Sequence, residues 1–251
     1  MANKTQIVIL AGGKGTRMNC VDSPKVLHLV DGVPMINRLL ETVCKICEKP
    51  TIVIGFQGEK VIEATANKFH YVWQKEQLGT GHAVAQTKTD LQKQGFDNIL
   101  VLYGDHPFVS GKTIRDLIDC LEKSGDNVVL AMATLKFSDY QGIYNNFYNF
   151  GRIVRNQQGD IVGIVELKDA DDEQRKIPEV NLGYYCFRAN WLWDNIDKLQ
   201  NYNQSKEYYL TDLIAMAVEQ GNKIPFITIE NPVEGLGINT KEQLESAEAA
   251  L

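Results

Sequence analysis

Apolar residues come along this chain in short unbroken runs that alternate with longer segments of near-helical spacing. The run from Lys4 to Leu10 ends in Ile-Val-Ile-Leu and passes at once into Ala-Gly-Gly-Lys-Gly, which predicts a buried parallel strand entering a glycine loop. Pro34 to Glu48 has helical spacing with proline at its start, Thr51 to Gly55 is a short strand, and Glu59 to Phe69 is helical again. Tyr71 to Gln74, Asn98 to Tyr103 and Val128 to Leu135 read as further strands, with helices over Thr80 to Gln94 and Gly111 to Lys123 between them. This alternation predicts an α/β fold, a mostly parallel, Rossmann-like sheet with helices on both faces.

After residue 135 the rhythm breaks into a Tyr-, Asn- and Phe-rich stretch. Strand-like pieces follow at Gly151 to Arg155, Ile161 to Glu166 and Val180 to Phe187. The pattern predicts a β-rich insertion over roughly 136–187, lying over the carboxyl edge of the sheet. Ala189 to Leu199, Thr211 to Gln220, Ile224 to Ile229 and a terminal helix then resume the α/β order, and Thr240 with Gln243 fits a capping box for that last helix. The expectation is one domain over 1–251.

Charge changes the picture at one end only. The net charge of -6 is the wrong sign for non-specific attraction to nucleic acid or anionic lipid, so neither is an expected partner. The first 25 residues nonetheless carry Lys4, Lys14, Arg17 and Lys25 against Asp22 alone, so the N-terminal loop is suited to an anion. The five cysteines (Cys20, Cys44, Cys47, Cys120 and Cys186) are odd in number and scattered, as expected of reduced thiols in a cytoplasmic protein. Cys44 and Cys47 lack the second pair that a zinc site needs. No apolar stretch approaches the roughly 20 residues that cross a bilayer, and no charged-then-apolar leader opens the chain.

Chemistry concentrates in Leu10-Ala11-Gly12-Gly13-Lys14-Gly15-Thr16-Arg17, with Ser23-Pro24-Lys25 following. Glycines let backbone N–H groups bend around phosphate oxygens, and Lys14, Arg17 and Lys25 supply the charge that a polyphosphate requires. Two common nucleotide motifs fail on spacing: the dinucleotide fingerprint needs glycine where Met18 stands, and a phosphate loop ending in Gly111-Lys112-Thr113 needs glycine where His106 stands. Asp105 follows the run Ile99 to Leu102 and so sits at a strand's carboxyl end, where ligands bind in open α/β sheets. Taken singly, Asp105 beside Pro107, Glu166 at a strand end and Asn239 ahead of a helix also fit ordinary structural roles, and the four scattered histidines suggest no metal cluster.

The order of these motifs resembles a known family. Leu-Ala-Gly-Gly-x-Gly-Thr-Arg-Met, then Pro-Lys-Val-Leu-His, Gln74-Lys75-Glu76-Gln77-Leu78-Gly79-Thr80-Gly81, Tyr103-Gly104-Asp105, Gly151-Arg152-Ile153, Asn181-x-Gly183, Glu207-Tyr208-Tyr209-Leu210-Thr211-Asp212 and Gly237-Ile238-Asn239 run in the order found in sugar-1-phosphate nucleotidyltransferases. More narrowly, the chain resembles the uridylyltransferase part of the bifunctional N-acetylglucosamine-1-phosphate uridylyltransferase/glucosamine-1-phosphate acetyltransferases. The resemblance implies the nucleoside-diphosphate-sugar transferase fold and Mg²⁺-dependent uridylyl transfer from UTP to N-acetylglucosamine 1-phosphate. It implies that Leu10 to Thr16, Gln74, Gln77, Gly79 and Thr80 hold the nucleotide, with Gln74 and Gly79 at the uracil. Arg17 would meet the departing pyrophosphate and Lys25 the α-phosphate. Thr80, Tyr103, Gly104, Gly151, Glu166, Asn181 and Asn239 would line the sugar site, and Asp105 with Asn239 would hold Mg²⁺, a hard cation that takes one or two protein oxygens beside phosphate and water.

The chain departs from that pattern at identifiable places. Position 12 is glycine where those enzymes usually have alanine, the loop from Met18 to Pro24 is one residue longer, Ser138 to Asn149 is longer and more aromatic, and Leu182 replaces a threonine. These departures border the substrates, so a different nucleotide or hexose 1-phosphate is the second reading, and a catalytically silent nucleotide-sugar-binding protein the third. The hexapeptide-repeat domain that carries acetyl transfer in the bifunctional enzymes has no counterpart here, so nucleotidyl transfer without acetyl transfer is expected.

Overall fold

The structure, a computed structural model, describes residues 4–15, 23–125 and 127–248. Thr16 and Arg17, expected at the phosphates, and Cys20 lie outside the described residues.

In chain order the elements are β1 (Thr5–Ala11), a small hairpin of β2 (Leu29–Val30) and β3 (Val33–Pro34), α1 (Met35–Val43), β4 (Thr51–Ile54), α2 (Gly58–Ala64) and β5 (His70–Trp73). Then come α3 (Thr80–Ala85), α4 (Lys88–Gln94), β6 (Asn98–Tyr103), α5 (Gly111–Lys123) and β7 (Leu130–Lys136). The last part holds β8 (Arg152–Arg155), β9 (Ile161–Val165), β10 (Glu179–Arg188), α6 (Ala189–Asn195), α7 (Asp212–Glu219), β11 (Phe226–Thr228) and α8 (Lys241–Glu248). The central sheet runs β11-β7-β10-β6-β1-β4-β5 and is parallel except at β10, which is antiparallel to both neighbours.

The strands read as continuous apolar runs because both faces are covered. Successive side chains point to opposite faces, so Ile7, Ile9, Leu100 and Leu102 pack with α1 and α5, while Val8, Leu10, Ile99 and Val101 pack with α3, α4, α6 and α7. Each fully buried Ile, Leu or Val contributes about 1.5–3 kcal/mol, which is why the sheet centre is the most firmly fixed part of the fold. No helix among the described residues is long and apolar enough to cross a membrane.

Several expected elements differ. The helix expected over Thr80 to Gln94 is two helices, because Thr87 turns inward and donates from Oγ1 to Val84 O at 2.7 Å, although the apolar spacing runs on through the break. The helix expected to reach Phe69 stops at Ala64, where Thr65 bonds back to Val61 O and Ala66 and Asn67 both take positive φ. The helix expected over Pro34 to Glu48 ends at Val43, so Cys44 is its cap and Cys47 lies beyond it. Of the stretch set apart at 136–187, β10 is a central strand lodged between β6 and β7. Only the aromatic segment and the β8–β9 hairpin stand off the sheet path, β8 pairing to β10 at Val180. At the last helix, half of the capping box forms: Gln243 N donates to Thr240 Oγ1 at 3.2 Å, but the Gln243 side chain accepts from Asn239 N rather than from Thr240 N.

Candidate active site

The carboxyl ends of β1, β5 and β6 open on a cavity of about 390 Å³, within the range of small-ligand sites. Leu10, Ala11, Gly12, Gly13, Lys14 and Gly15 line it from β1 and the glycine loop. Gln74, Gln77, Gly79 and Thr80 line it from the turn between β5 and α3, and Tyr103 and Asp105 from the end of β6. Asn239 and Lys25 complete it. A side chain of Glu207, absent from the expected set, also lines it. Its signal was present in the Glu207–Asp212 motif: Tyr208 N donates to Leu78 O at 2.8 Å and Gly81 N to Tyr208 O at 2.8 Å, which carries Glu207 up against the turn between β5 and α3.

Among the residues expected at the base, Gln74 is buried, with Nε2 donating to Gly79 O at 2.9 Å and facing His82 Nδ1 at 3.1 Å. Gln77 Nε2 donates to Gln74 O. The turn is thus pinned by its own side chains, a rigid edge against which a planar base can be read. A Cβ on Gly12 would lie 3.1 Å from Oε1 of the held Gln74 amide, with the backbone of Ile54 and Gly55 at 3.4–3.5 Å beyond it. Gly12→Ala is therefore expected to push against a side chain with little room to yield and to destabilise the fold by about 1 kcal/mol, a fall of roughly 2–4 °C in Tm. A rise in Tm measured by calorimetry would show that the Gln74 amide can shift.

At the cation end, Lys25 follows Pro24 at the start of a 3-10 turn, and its ammonium contacts both Asp105 and Asn239, the latter at 2.7 Å. The lysine expected at the α-phosphate is thus placed between the two side chains expected to hold a metal. Burial alone would raise the Asp105 carboxyl, but Lys25 beside it holds it below the usual carboxylate range. The adjacent His106 is pushed down to about 4, chiefly by burial, and stands neutral.

The residues expected at the sugar divide between two places. Thr80 and Tyr103 line the main cavity, whereas Glu166 lines a neighbouring one of about 350 Å³ with Asp169, Tyr209, Thr211 and Asp212. Gly104, Gly151 and Asn181 line neither. Gly104 N donates to Leu10 O, which ties β6 to β1. Gly151 O accepts from Asn181 N, and Asn181 Oδ1 in turn accepts from Gly183 N. A Cβ on Gly151 would come within 3.2 Å of Glu166 Oε1. Gly183 has φ +80°, and a Cβ there would sit 2.3 Å from Tyr103 Cε2, so only glycine lets the Tyr103 ring come this close to β10.

Burial pushes the Glu166 carboxyl up to about 7; Asp169 and Asp212 add to the shift, and Thr211 and Arg152 oppose it. Asp212 is raised to about 6 by burial and by Asp169. A carboxyl that keeps its proton to higher pH when folded gives stability that is complete below its unfolded value near 4.5 and lost as the pH rises through about 7. Glu166→Gln is accordingly expected to melt above the wild type at pH 8 and to lose that advantage by pH 5. Equal gaps at both pH values in thermal denaturation would contradict the assignment.

The sequence profile of the MobA-like NTP transferase domain matches residues 7–195. The bifunctional protein GlmU of Heliobacterium modesticaldum is 39% identical over 251 residues, which is 99% of this chain and 52% of that protein. GlmU of Clostridium novyi is 40% identical over 247 residues, 97% of this chain and 51% of that protein. The chain therefore spans about half the length of the curated relatives it matches. Two solved structures share the fold at 18% identity: a UDP-glucose pyrophosphorylase complexed with UDP-glucose, with a TM-score of 0.73, and a CMP:2-keto-3-deoxy-manno-octonic acid synthetase complexed with CTP, with a TM-score of 0.68. Each covers 99% of this chain and 98% of its own. By the reach of the profile and the identity to its relatives, the chain belongs to the MobA-like NTP transferase domain family.

Proposed function

We propose that this chain is a sugar-1-phosphate nucleotidyltransferase that joins UTP and N-acetylglucosamine 1-phosphate into UDP-N-acetylglucosamine and pyrophosphate. The observation that carries this reading is the convergence, in one cavity, of a glycine loop, a pinned glutamine turn and the Asp105–Lys25–Asn239 cluster. The relatives named bifunctional GlmU support the choice of reaction.

The donor set suits Mg²⁺. The Lys25 ammonium touches Asp105 and Asn239 at once, so their oxygens converge on a single cation-sized point. Among the described residues no group of three or more His, Cys, Asp or Glu gathers to hold a metal, so substrate oxygens and water would complete the shell. When bound, the ion offsets charge on the phosphates. The chain's own work is to position. Backbone N–H groups of residues 11–15 cradle the triphosphate, Gln74 and Gln77 orient the base, and Lys14 and Lys25 supply positive charge toward the α-phosphate. Held in line, a sugar-phosphate oxygen forms the new bond to the α-phosphorus as the bond to pyrophosphate breaks. No side-chain base is needed, since a phosphate monoester is already largely ionised near neutral pH.

Gly12 and the aromatic 138–150 segment favour a second reading, the same reaction with another nucleotide or hexose 1-phosphate. The test is pyrophosphate release with UTP, N-acetylglucosamine 1-phosphate and Mg²⁺, beside CTP, GTP, dTTP and other hexose 1-phosphates. Release in the UTP and N-acetylglucosamine 1-phosphate well alone is expected. Release only elsewhere moves the specificity, and nucleotide-sugar binding without release in any well overturns the enzyme reading.

A further inference from the structure

We propose that His106 is a positioning residue that sets the spacing of Asp105 and Asn239, a role that rests on the cation-binding assignment of those two side chains made above. His106 is 6% exposed and lies where three segments meet: the end of β6, the middle of β10, and the connection from the 3-10 turn Pro232–Gly235 to α8. Its ring packs on Tyr103, Phe150 and Tyr184, with centroids 5.7, 6.0 and 5.4 Å away.

The hydrogen bonds fix the ring's orientation. Tyr184 Oη donates its one proton to Glu234 O at 2.7 Å, a carbonyl that can only accept. The 2.8 Å contact between Tyr184 Oη and His106 Nδ1 is therefore a bond donated by the imidazole, which leaves Nε2 as the unprotonated edge. That edge stands 4.0 Å from Asp105 Oδ1 and directly against Gly237, where a Cβ would come within 2.5 Å of Nε2.

The segment resting on this edge is the one that carries Asn239. Ile238 N donates to Asp105 O at 3.0 Å, and Asn239 Nδ2 donates to Gly237 O at 3.2 Å. Upstream, Glu234 is held at its backbone carbonyl by Tyr184 and at its carboxylate by Ser110 N and Thr113 Oγ1. With Glu234 pinned and Asp105 fixed at the end of a buried strand, the imidazole is the spacer on which Gly237 rests, and Asn239 is tied to Gly237 O. A smaller side chain would let that connection settle toward β6 and shift the Asn239 amide oxygen against the Asp105 carboxylate. Mg²⁺ tolerates little departure from octahedral geometry, so the error would appear first in cation affinity, while the base edge around Gln74 and Gln77, on β5 and its turn, keeps its shape.

The test uses the 251-residue chain. Mn²⁺ is titrated by electron paramagnetic resonance in the presence of UTP, with the sugar phosphate omitted, for wild type, His106→Ala, His106→Gln, Tyr184→Phe and Asp105→Asn. His106→Ala is expected to weaken Mn²⁺ by about tenfold or more, and Tyr184→Phe by about threefold. His106→Gln, which fills much of the imidazole's length, is expected to recover most of the loss. In the pyrophosphate assay the Mg²⁺ needed for half-maximal rate should rise by matching factors, with KM for UTP at saturating Mg²⁺ unchanged. Wild-type Mn²⁺ affinity in both His106→Ala and Tyr184→Phe, together with loss in Asp105→Asn, overturns the positioning role alone. Mn²⁺ bound equally by wild type and Asp105→Asn overturns the cation assignment and the positioning role with it. Should His106→Ala fail to fold, the near-isosteric Tyr184→Phe decides.

Discussion

Asp105→Asn is expected to lower the rate of pyrophosphate release by about a thousandfold with the fold intact. The side chain is buried at the carboxyl end of β6, and Lys25 keeps its carboxyl ionised through any working pH. Asparagine preserves the shape and one acceptor oxygen but removes the charge that both Lys25 and a divalent cation require. Loss of that charge leaves Lys25, itself only 15% exposed at its side chain, without its anionic partner, so the ammonium no longer stays at a fixed point beside Asn239. The damage falls on the reacting phosphates and not on base recognition, because Gln74 is held by Gly79 and His82 on the far side of the cavity. The check is kcat and KM for UTP measured across Mg²⁺ concentrations, with circular dichroism to confirm folding. A variant within tenfold of wild-type kcat would remove Asp105 from the chemistry.

How much of this was legible in the sequence follows from how local each feature is. The strand Asn98–Tyr103 and the helix Gly111–Lys123 fall where the apolar spacing places them, because a buried strand and an amphipathic helix are complete signals in themselves. The split between α3 and α4 was not legible, since Thr87 breaks the helix by burying a hydroxyl while leaving the apolar period undisturbed. Nor was the place of β10: strand order is set by pairing between residues far apart, and an antiparallel strand buried on both faces looks like any other apolar run. The same distinction holds at the site. The glycine loop and Asp105 are visible as local motifs at strand ends, whereas Asn239 becomes meaningful only beside Asp105, 134 positions earlier, through the family order or the fold. His106 looked like a scattered histidine because Tyr184 and Gly237, which give it a role, are brought to it only by β10 and the final connection.

The aromatic segment that sets this chain apart hangs on one buried cation, and Arg152→Met is expected to cost about 3–5 kcal/mol, a fall of roughly 10 °C in Tm. Arg152 is fully buried, and among the described residues no carboxylate bonds it. Its guanidinium donates to the carbonyls of Tyr148, Phe150 and Arg175, and stacks 4.8 Å from the Tyr140 centroid and 5.4 Å from that of Tyr148. Those rings belong to the cluster that Phe137, Tyr144, Phe147 and Phe150 extend into the core. Methionine would fill much of the volume but leave three part-buried carbonyls without their charged donor, each such bond worth about 1.5–3 kcal/mol. Lysine would keep the charge and lose the planar fork that reaches three acceptors at once, so Arg152→Lys should recover less than half of the loss. Gly151 precedes this arginine, and its carbonyl accepts from Asn181, so loosening the fork also loosens the residues expected at the sugar. KM for the sugar phosphate should therefore rise in Arg152→Met while KM for UTP holds, and calorimetry with limited proteolysis over 138–150 would show both the lost stability and where it is lost. A Tm within 2 °C of wild type would mean that the aromatic cluster holds itself together and that the guanidinium is merely accommodated within it.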